Sequence, residues 1–365
     1  MKPMNCEAHE TACGQRKYKG CPPGQEGSWM KKILLIATGG TIASGYTEEG
    51  LAPKIAAAEL LQYVEGYREF CQVEVASPFS LDSTNVCGKH WLELAALIER
   101  HYDDYDGFVI CHGTDTMAFT AAALSYLVQN SPKPVVVTGA QKPIDLPITD
   151  ARTNLLDSLR FASEGRAHGV NIVFGGNVIA GTRAKKERSK SYNAFSSINY
   201  PSIAMIRDGR VVFYIEDKDR LTGSVTFYHE LNEGILLLKL MPGMDGMVLN
   251  RLFPYYDCVI IEAFGVGGLP EYGRMPFYPE IRRWIDAGKL VMMATQVTHE
   301  GSDMEVYQVG KAIKEEFHLM ETYDMTLEAT VTKVMWILGL TREPRVFRRL
   351  FYETVNHDIL LPEEV

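Results

Sequence analysis

A chain of 365 residues, 46% of them hydrophobic and 23% charged, carries enough apolar material for one large core or two moderate ones. Its net charge of −9 argues against a nucleic-acid partner, since phosphates would be repelled, and the one basic cluster, from Arg183 to Lys190, is too short to form a binding stripe. Seven thinly spread cysteines do not suggest a disulfide framework, and no apolar stretch approaches the roughly 18 residues of a membrane span, so a cytoplasmic protein without membrane association is expected.

The opening segment is polar and rich in glycine and proline, and it lacks the apolar centre of a signal peptide. Residues 1–30 therefore read as a disordered tail. Cys6, Cys13, Cys21 and His9 within it match no common zinc-ligand spacing. Met30, followed by Lys31, Lys32 and a clean apolar run, reads as the natural start of translation.

From Ile33 onward short apolar runs alternate with amphipathic segments, the pattern of strands and helices taking turns around a parallel sheet, so the class is α/β. Strands are expected at 33–37, 73–76, 108–111, 135–138 and 170–174. Between them Trp91, Leu94, Ala95 and Ile98 fall on one helical face, as do Leu155, Leu156, Leu159 and Ala162. Lys133-Pro134 and Pro201 are expected outside these elements. The pattern degrades between Asp208 and Asn232, which places a linker at 211–234 after a domain at 31–210. A second, smaller domain at 235–365 then repeats the logic, with strands at 235–240, 258–262 and 290–294 and helices at 279–287, 327–338 and 343–355.

Ligands of open parallel sheets bind outside the carboxyl ends of the strands. Four polar stretches sit there in this reading: 38–41, 81–84, 112–116 and, beyond the fifth strand, 181–186. Gly39 and Gly40 permit a tight turn that brings Thr41 close to the strand end. Neither G-x-G-x-x-G nor G-x-x-x-x-G-K-[ST] is present, which disfavours a nucleotide. Thr114 and Asp115 taken alone suit the cap of a helix at 117–128, and Lys186 taken alone is part of a solvated charge run. Taken together, two threonines, an aspartate and a lysine at one sheet edge supply a nucleophile, a base and a partner for the base, the parts of acyl transfer without a metal. His299-Glu300 lacks the H-E-x-x-H spacing, Asp145 and Asp150 suit turns and caps, and no His/Cys cluster has metal-ligand spacing, so no metal or cofactor is expected.

Two signatures resemble those of the bacterial and archaeal L-asparaginases, in particular the type I, cytoplasmic branch: ATGGTIA at 37–43 and GFVICHGTDTM at 107–117. The resemblance runs from about Lys31 to the C-terminus through LDST at 81–84, PVVVTGAQ, NAFSSINYP, the FGVGG loop at Phe264 and DMTLEATVTKVMWILG. It implies a larger N-terminal domain of flavodoxin-like or Rossmann-like form with a mostly parallel sheet, a smaller C-terminal α/β domain, and assembly as a homodimer or homotetramer.

The same resemblance implies roles. Thr41 would attack the amide carbon; Thr114, Asp115 and Lys186 would form the proton relay. Asp82 and Ser83, with Thr114 and Asp115, would bind the substrate, L-asparagine and its longer homologue L-glutamine being the amides of the family. Many relatives place a tyrosine on a mobile lid ten residues after the nucleophile, where this chain has Leu51, which makes Tyr46 the candidate lid residue. Gly268 stands where many relatives have asparagine, and Val297 where some type I enzymes have the cysteine of an allosteric asparagine site. The alternatives are a glutaminase, the asparaginase-like subunit of a tRNA-dependent amidotransferase, and a non-enzymatic amino-acid-binding protein.

Overall fold

The computed structural model describes residues 30–47, 50–53, 55–215, 224–270, 274–306 and 308–361, so the expected tail up to residue 29, with its cysteines, lies outside the described residues. Two sheets organise the chain. The larger is built on β1 (Lys31–Ala37), β2 (Cys71–Ala76), β3 (Gly107–Cys111), β4 (Pro134–Thr138), β5 (Gly169–Phe174) and β6 (Asn177–Ala180). A hairpin of Ala204–Arg207 and Arg210–Phe213 extends it next to β6. From β2 through β1, β3, β4 to β5 every pairing is parallel, and from β5 outward every pairing is antiparallel. The smaller sheet is β7 (Ile235–Lys239), β8 (Cys258–Ala263), β9 (Leu290–Thr295) and β10 (Met320–Glu321), parallel throughout.

Side chains along a strand alternate between faces, and β1 shows what that does to the core. Ile33 and Leu35 pack with Leu155 and Leu159 of α3 (Ala151–Ala162), while Leu34 and Ile36 pack with Trp91, Leu94 and Ile98 of α1 (Gly88–Arg100). Both faces of the sheet are therefore covered, and the central strands β3 and β4 are buried along their whole length.

Between α1 and α3 in sequence, α2 (Met117–Leu127) has ten of its eleven residues buried. Such a helix must have partners all round. Ala121 and Leu124 join the core under the larger sheet, whereas Ala122 and Tyr126 join the core of the smaller one, beside Val334 and Ile337 of α5 (Leu327–Leu340, after α4 at Phe277–Asp286). The Tyr126 hydroxyl donates to Asp358 Oδ2 at 2.9 Å, and Lys333 Nζ of α5 lies 2.6 Å from the same oxygen, with Lys333 and Asp358 both fully buried. A final helix, α6 (Pro344–Tyr352), is capped by the Glu343 carboxylate, which accepts from two backbone N–H groups of its first turn.

All the expected strands are present, most of them a residue or two longer. Three expectations are corrected. Pro134 is inside an element after all, as the first residue of β4, where strands tolerate proline. The region from Asp208 is ordered at its start: Asp208 and Gly209 have φ of 50° and 67°, the two left-handed residues of a tight hairpin turn. The last helix stops at Tyr352 rather than at Val355.

The route after β5 also differs from the one expected. Because β6 runs antiparallel to β5, the chain reaches Gly181 at the amino edge of the parallel strands, where Gly181 N–H donates to Val170 O. It then climbs back beside α2 as a short ribbon, Ala184–Lys186 paired with Phe195–Ser197.

Candidate active site

The turn after β1 is fixed by contacts of its own backbone and of Thr38. Thr38 N–H and Oγ1 both donate to Cys111 O at the end of β3, and Leu81 N–H donates to Thr38 O at 2.9 Å. Gly40, at φ 84°, lies directly on the His112-Gly113 peptide, and a Cβ on Gly113 would lie 2.6 Å from Ser83 Oγ. Three of the four stretches chosen from the sequence thus touch at glycines, whose missing side chains allow the close approach. Thr41 follows, half-buried, as the first residue of a short 3-10 turn, Thr41–Ala43.

The fourth stretch arrives by the ribbon. Lys186, paired in register with Phe195, donates from Nζ to Thr114 Oγ1 at 2.7 Å and to Asp115 Oδ1 at 2.7 Å. Thr114 is buried, the Lys186 side chain is 17% exposed and that of Asp115 62% exposed, so the ion pair opens to solvent on the carboxylate side only. Neither simple reading of these residues holds. The residue preceding α2 is Thr116, no side chain caps that helix, and Lys186 is not a solvated charge.

Asp82 is exposed, and its carboxylate accepts from Thr84 N–H at 2.9 Å and Thr84 Oγ1 at 2.8 Å, bonds that lower its pKa. Ser83 is buried, and its carbonyl accepts from Thr116 Oγ1 at 2.7 Å. Thr116 therefore ties the Asp82-Ser83 turn to the Thr114-Asp115 turn. The sequence alone does not single it out, although its place as the last threonine of HGTDT is an available signal.

Beneath these loops His112 is fully buried. Its Nδ1 lies 2.8 Å from Gly113 O and its Nε2 3.0 Å from Thr120 Oγ1, which accepts from Trp91 Nε1 at 2.9 Å. A carbonyl only accepts, so Nδ1 carries the hydrogen and Nε2 receives the threonine proton. Burial drives the His112 pKa down to about 4, keeping the ring neutral.

Of the remaining candidates, Tyr46 lies on the strand Ser44–Thr47 and is paired in register with Leu51. Asp150 precedes α3 and accepts from the Gln141 and Lys142 N–H groups, a turn role, and His299-Glu300 is loop. Val297 is half-exposed and lines a narrow cleft with Lys185, Asn199 and Thr326. Among the described residues no three His, Cys, Asp or Glu side chains converge as a metal-binding group, and no helix is long and apolar enough to cross a membrane.

Fold and site together define a two-domain α/β enzyme with a Thr-Lys-Asp group at the carboxyl edge of the larger sheet. The N-terminal asparaginase family model matches residues 32–219, and the glutaminase/asparaginase C-terminal domain matches 235–351. The chain belongs to the asparaginase family, whose members are amide hydrolases. It is 37% identical over 330 residues to an L-asparaginase of Thermococcus kodakarensis, covering 90% of this chain and 99% of that one. The structure of the thermostable L-asparaginase from Thermococcus kodakarensis superposes with a TM-score of 0.85 at 35% identity, covering 91% of this chain and all of that one. A glutamyl-tRNA(Gln) amidotransferase component of Pyrococcus furiosus is 33% identical, over 88% of this chain and 75% of that protein.

Proposed function

We propose that the protein hydrolyses the side-chain amide of L-asparagine to L-aspartate and ammonia through an acyl-enzyme on Thr41. The observation that carries this reading is the contact of Lys186 Nζ with Thr114 Oγ1 and Asp115 Oδ1, beside the glycine contact that brings the Thr41 turn to the same edge. Thr41 Oγ1 attacks the amide carbon, and its proton passes into the Thr114–Lys186–Asp115 relay. Backbone N–H groups near Thr114 stabilise the oxyanion, an effect of about 3 kcal/mol per donor. The amide nitrogen takes the proton and leaves as ammonia, and water then cleaves the ester, returning the hydrogen to Thr41.

Asp82, Ser83 and Asp115 hold the α-amino and α-carboxylate groups of the substrate in this reading, and Asp82 is suited to an ammonium because Thr84 keeps it ionised. Tyr46 is proposed as the lid residue, on the strand facing Leu51. No cofactor is invoked. The protein is proposed to act in the cytoplasm as a homodimer or homotetramer; the free thiols of Cys71, Cys87, Cys111 and Cys258 suit a reducing compartment.

The relative matched over nearly its full length is an L-asparaginase, which favours that activity over an amidotransferase component matched over 75% of its length. Asparagine and glutamine differ by one methylene, worth about 1–3 kcal/mol of discrimination, and parallel assays of the two amides read that difference. Ammonia release from both amides, with wild type and Thr41→Ala, tests the proposal. Release from asparagine by the wild type alone is expected. Equal release by Thr41→Ala would remove Thr41 from the reaction, and none from either amide would leave the binding-protein reading.

A further inference from the structure

Lys186 reaches Thr114 from a ribbon that starts at the wrong edge of the sheet, and the base of that ribbon is held by segments from the C-terminal part of the chain. Arg183, three residues before Lys186, is fully buried. Its Nε donates to His357 O, and its Nη1 donates to Asp324 O at 2.9 Å and makes an ion pair with Asp324 Oδ2 at 2.9 Å. Thr182 Oγ1 donates to Asn356 O, and Thr326 Oγ1 donates to Thr182 O at 2.8 Å. Just beyond the returning strand Asn199 Nδ2 donates to the same Asp324 O at 3.0 Å, while Asn199 Oδ1 accepts from Glu300 N–H at 2.9 Å.

Backbone strain gathers at the same place. Of the eight non-glycine residues with positive φ among those described, five belong to this clasp or adjoin it: Asn199, Glu300, Tyr323, Asn356 and His357. Each such conformation costs about 1–2 kcal/mol and persists only where its surroundings hold it. Asn356 and His357 are consecutive, and their carbonyls are the two that receive Thr182 and Arg183. The Asn356 amide locks that turn by donating to Ser125 Oγ at 2.9 Å and Val170 O at 2.8 Å.

We infer that Arg183 and Asp324 are positioning residues: through them the C-terminal segments set where Lys186 Nζ sits relative to Thr114. This rests on the proposed role of Lys186. Three residues of strand span only about 10 Å, so a shift at Arg183 reaches Lys186 with little slack. A misplacement of about 1 Å in a reacting group can lower a rate by about a hundredfold.

The test compares Asp324→Asn, which keeps the side-chain shape and the backbone acceptor, with Arg183→Met and, as a control, Lys186→Met. Steady-state asparagine hydrolysis is measured well below each variant's melting temperature. The expected result is a kcat lowered about tenfold in Asp324→Asn and about a hundredfold in Arg183→Met, with KM within about twofold of wild type. A lowered melting temperature with native kcat in Asp324→Asn would make the clasp merely structural and overturn the inference, and this variant decides the matter if Arg183→Met does not fold. Native turnover by Lys186→Met would instead overturn the proposed site itself.

Discussion

Gly40 and Gly113 meet backbone to backbone: a Cβ on Gly40 would lie 2.5 Å from both the Cα and the nitrogen of Gly113. Neither neighbour is a flexible side-chain tip, so the clash must move main chain. The φ of 84° at Gly40 adds strain of its own for any L side chain. Gly40→Ala is expected to lose about 1–3 kcal/mol of stability and most of the activity, because the Thr41 turn moves with it. Thermal unfolding and ammonia release check this, and a variant native in both would show that the contact is slack.

Thr114→Val replaces a hydroxyl with a methyl of the same shape at a buried position. Lys186 then loses one of its two acceptors, and the proposed proton path is broken. A kcat reduced by about a thousandfold or more is expected, with little change in melting temperature. A loss confined to KM would assign Thr114 to binding alone.

The buried imidazole predicts a dependence of stability on acidity. His112 has a folded pKa near 4 against an ordinary 6.5, so in that interval the unfolded chain takes up a proton that the native state refuses. Its contribution is complete above pH 6.5 and is lost as the pH falls towards 4, amounting to about 3 kcal/mol at the acid end. Asp157 acts oppositely: burial raises its carboxyl pKa to about 6, so protonation favours the native state as the pH falls through 6. Denaturant unfolding from pH 7 to 4 should therefore show a steeper acid loss in Asp157→Asn and a shallower one in His112→Gln. Identical slopes in all three proteins would mean that neither group changes its pKa on folding.

The Lys333–Asp358 pair, buried on both sides, makes a sharper stability prediction. Removing one partner leaves an uncompensated charge in the core, and Lys333→Met should cost about 3–5 kcal/mol. Adding Asp358→Leu to it should restore much of that loss, because the stranded carboxylate is gone. A double variant no more stable than the single one would show that the Tyr126 hydroxyl depends on Asp358 more than the lysine does.

The sequence carried the strands well because each central strand is buried on both faces and reads as an unbroken apolar run, as Phe108-Val109-Ile110-Cys111 does. It carried 38–41 and 112–116 as candidate stretches because they directly follow such runs, while the roles expected of Thr41, Asp82, Ser83, Thr114, Asp115 and Lys186 rested on the resemblance of their motifs to the asparaginases. What it hid has identifiable causes. The Asp208-Gly209 turn is an ordinary hairpin signal, but charged neighbours on an edge strand mask the alternation around it. Arg183 reads as one more member of a basic surface cluster, since nothing local reveals that Asp324 and His357, more than a hundred residues away, enclose it. The reversal of direction at β6 is equally invisible, because a short apolar run has no sign of parallel or antiparallel pairing until its partner is known.

The helix α2 has no side that faces water, and this limits how the molecule can be divided. A fragment ending before β7 would present Ala122 and Tyr126 to solvent as an uncovered stripe, and the Tyr126 hydroxyl would lose its acceptor. The two sheets should accordingly melt in a single calorimetric transition, and fragments cut between them should fail to stay soluble until they are mixed. The boundary visible in the sequence is thus a seam in the text and not in the thermodynamics.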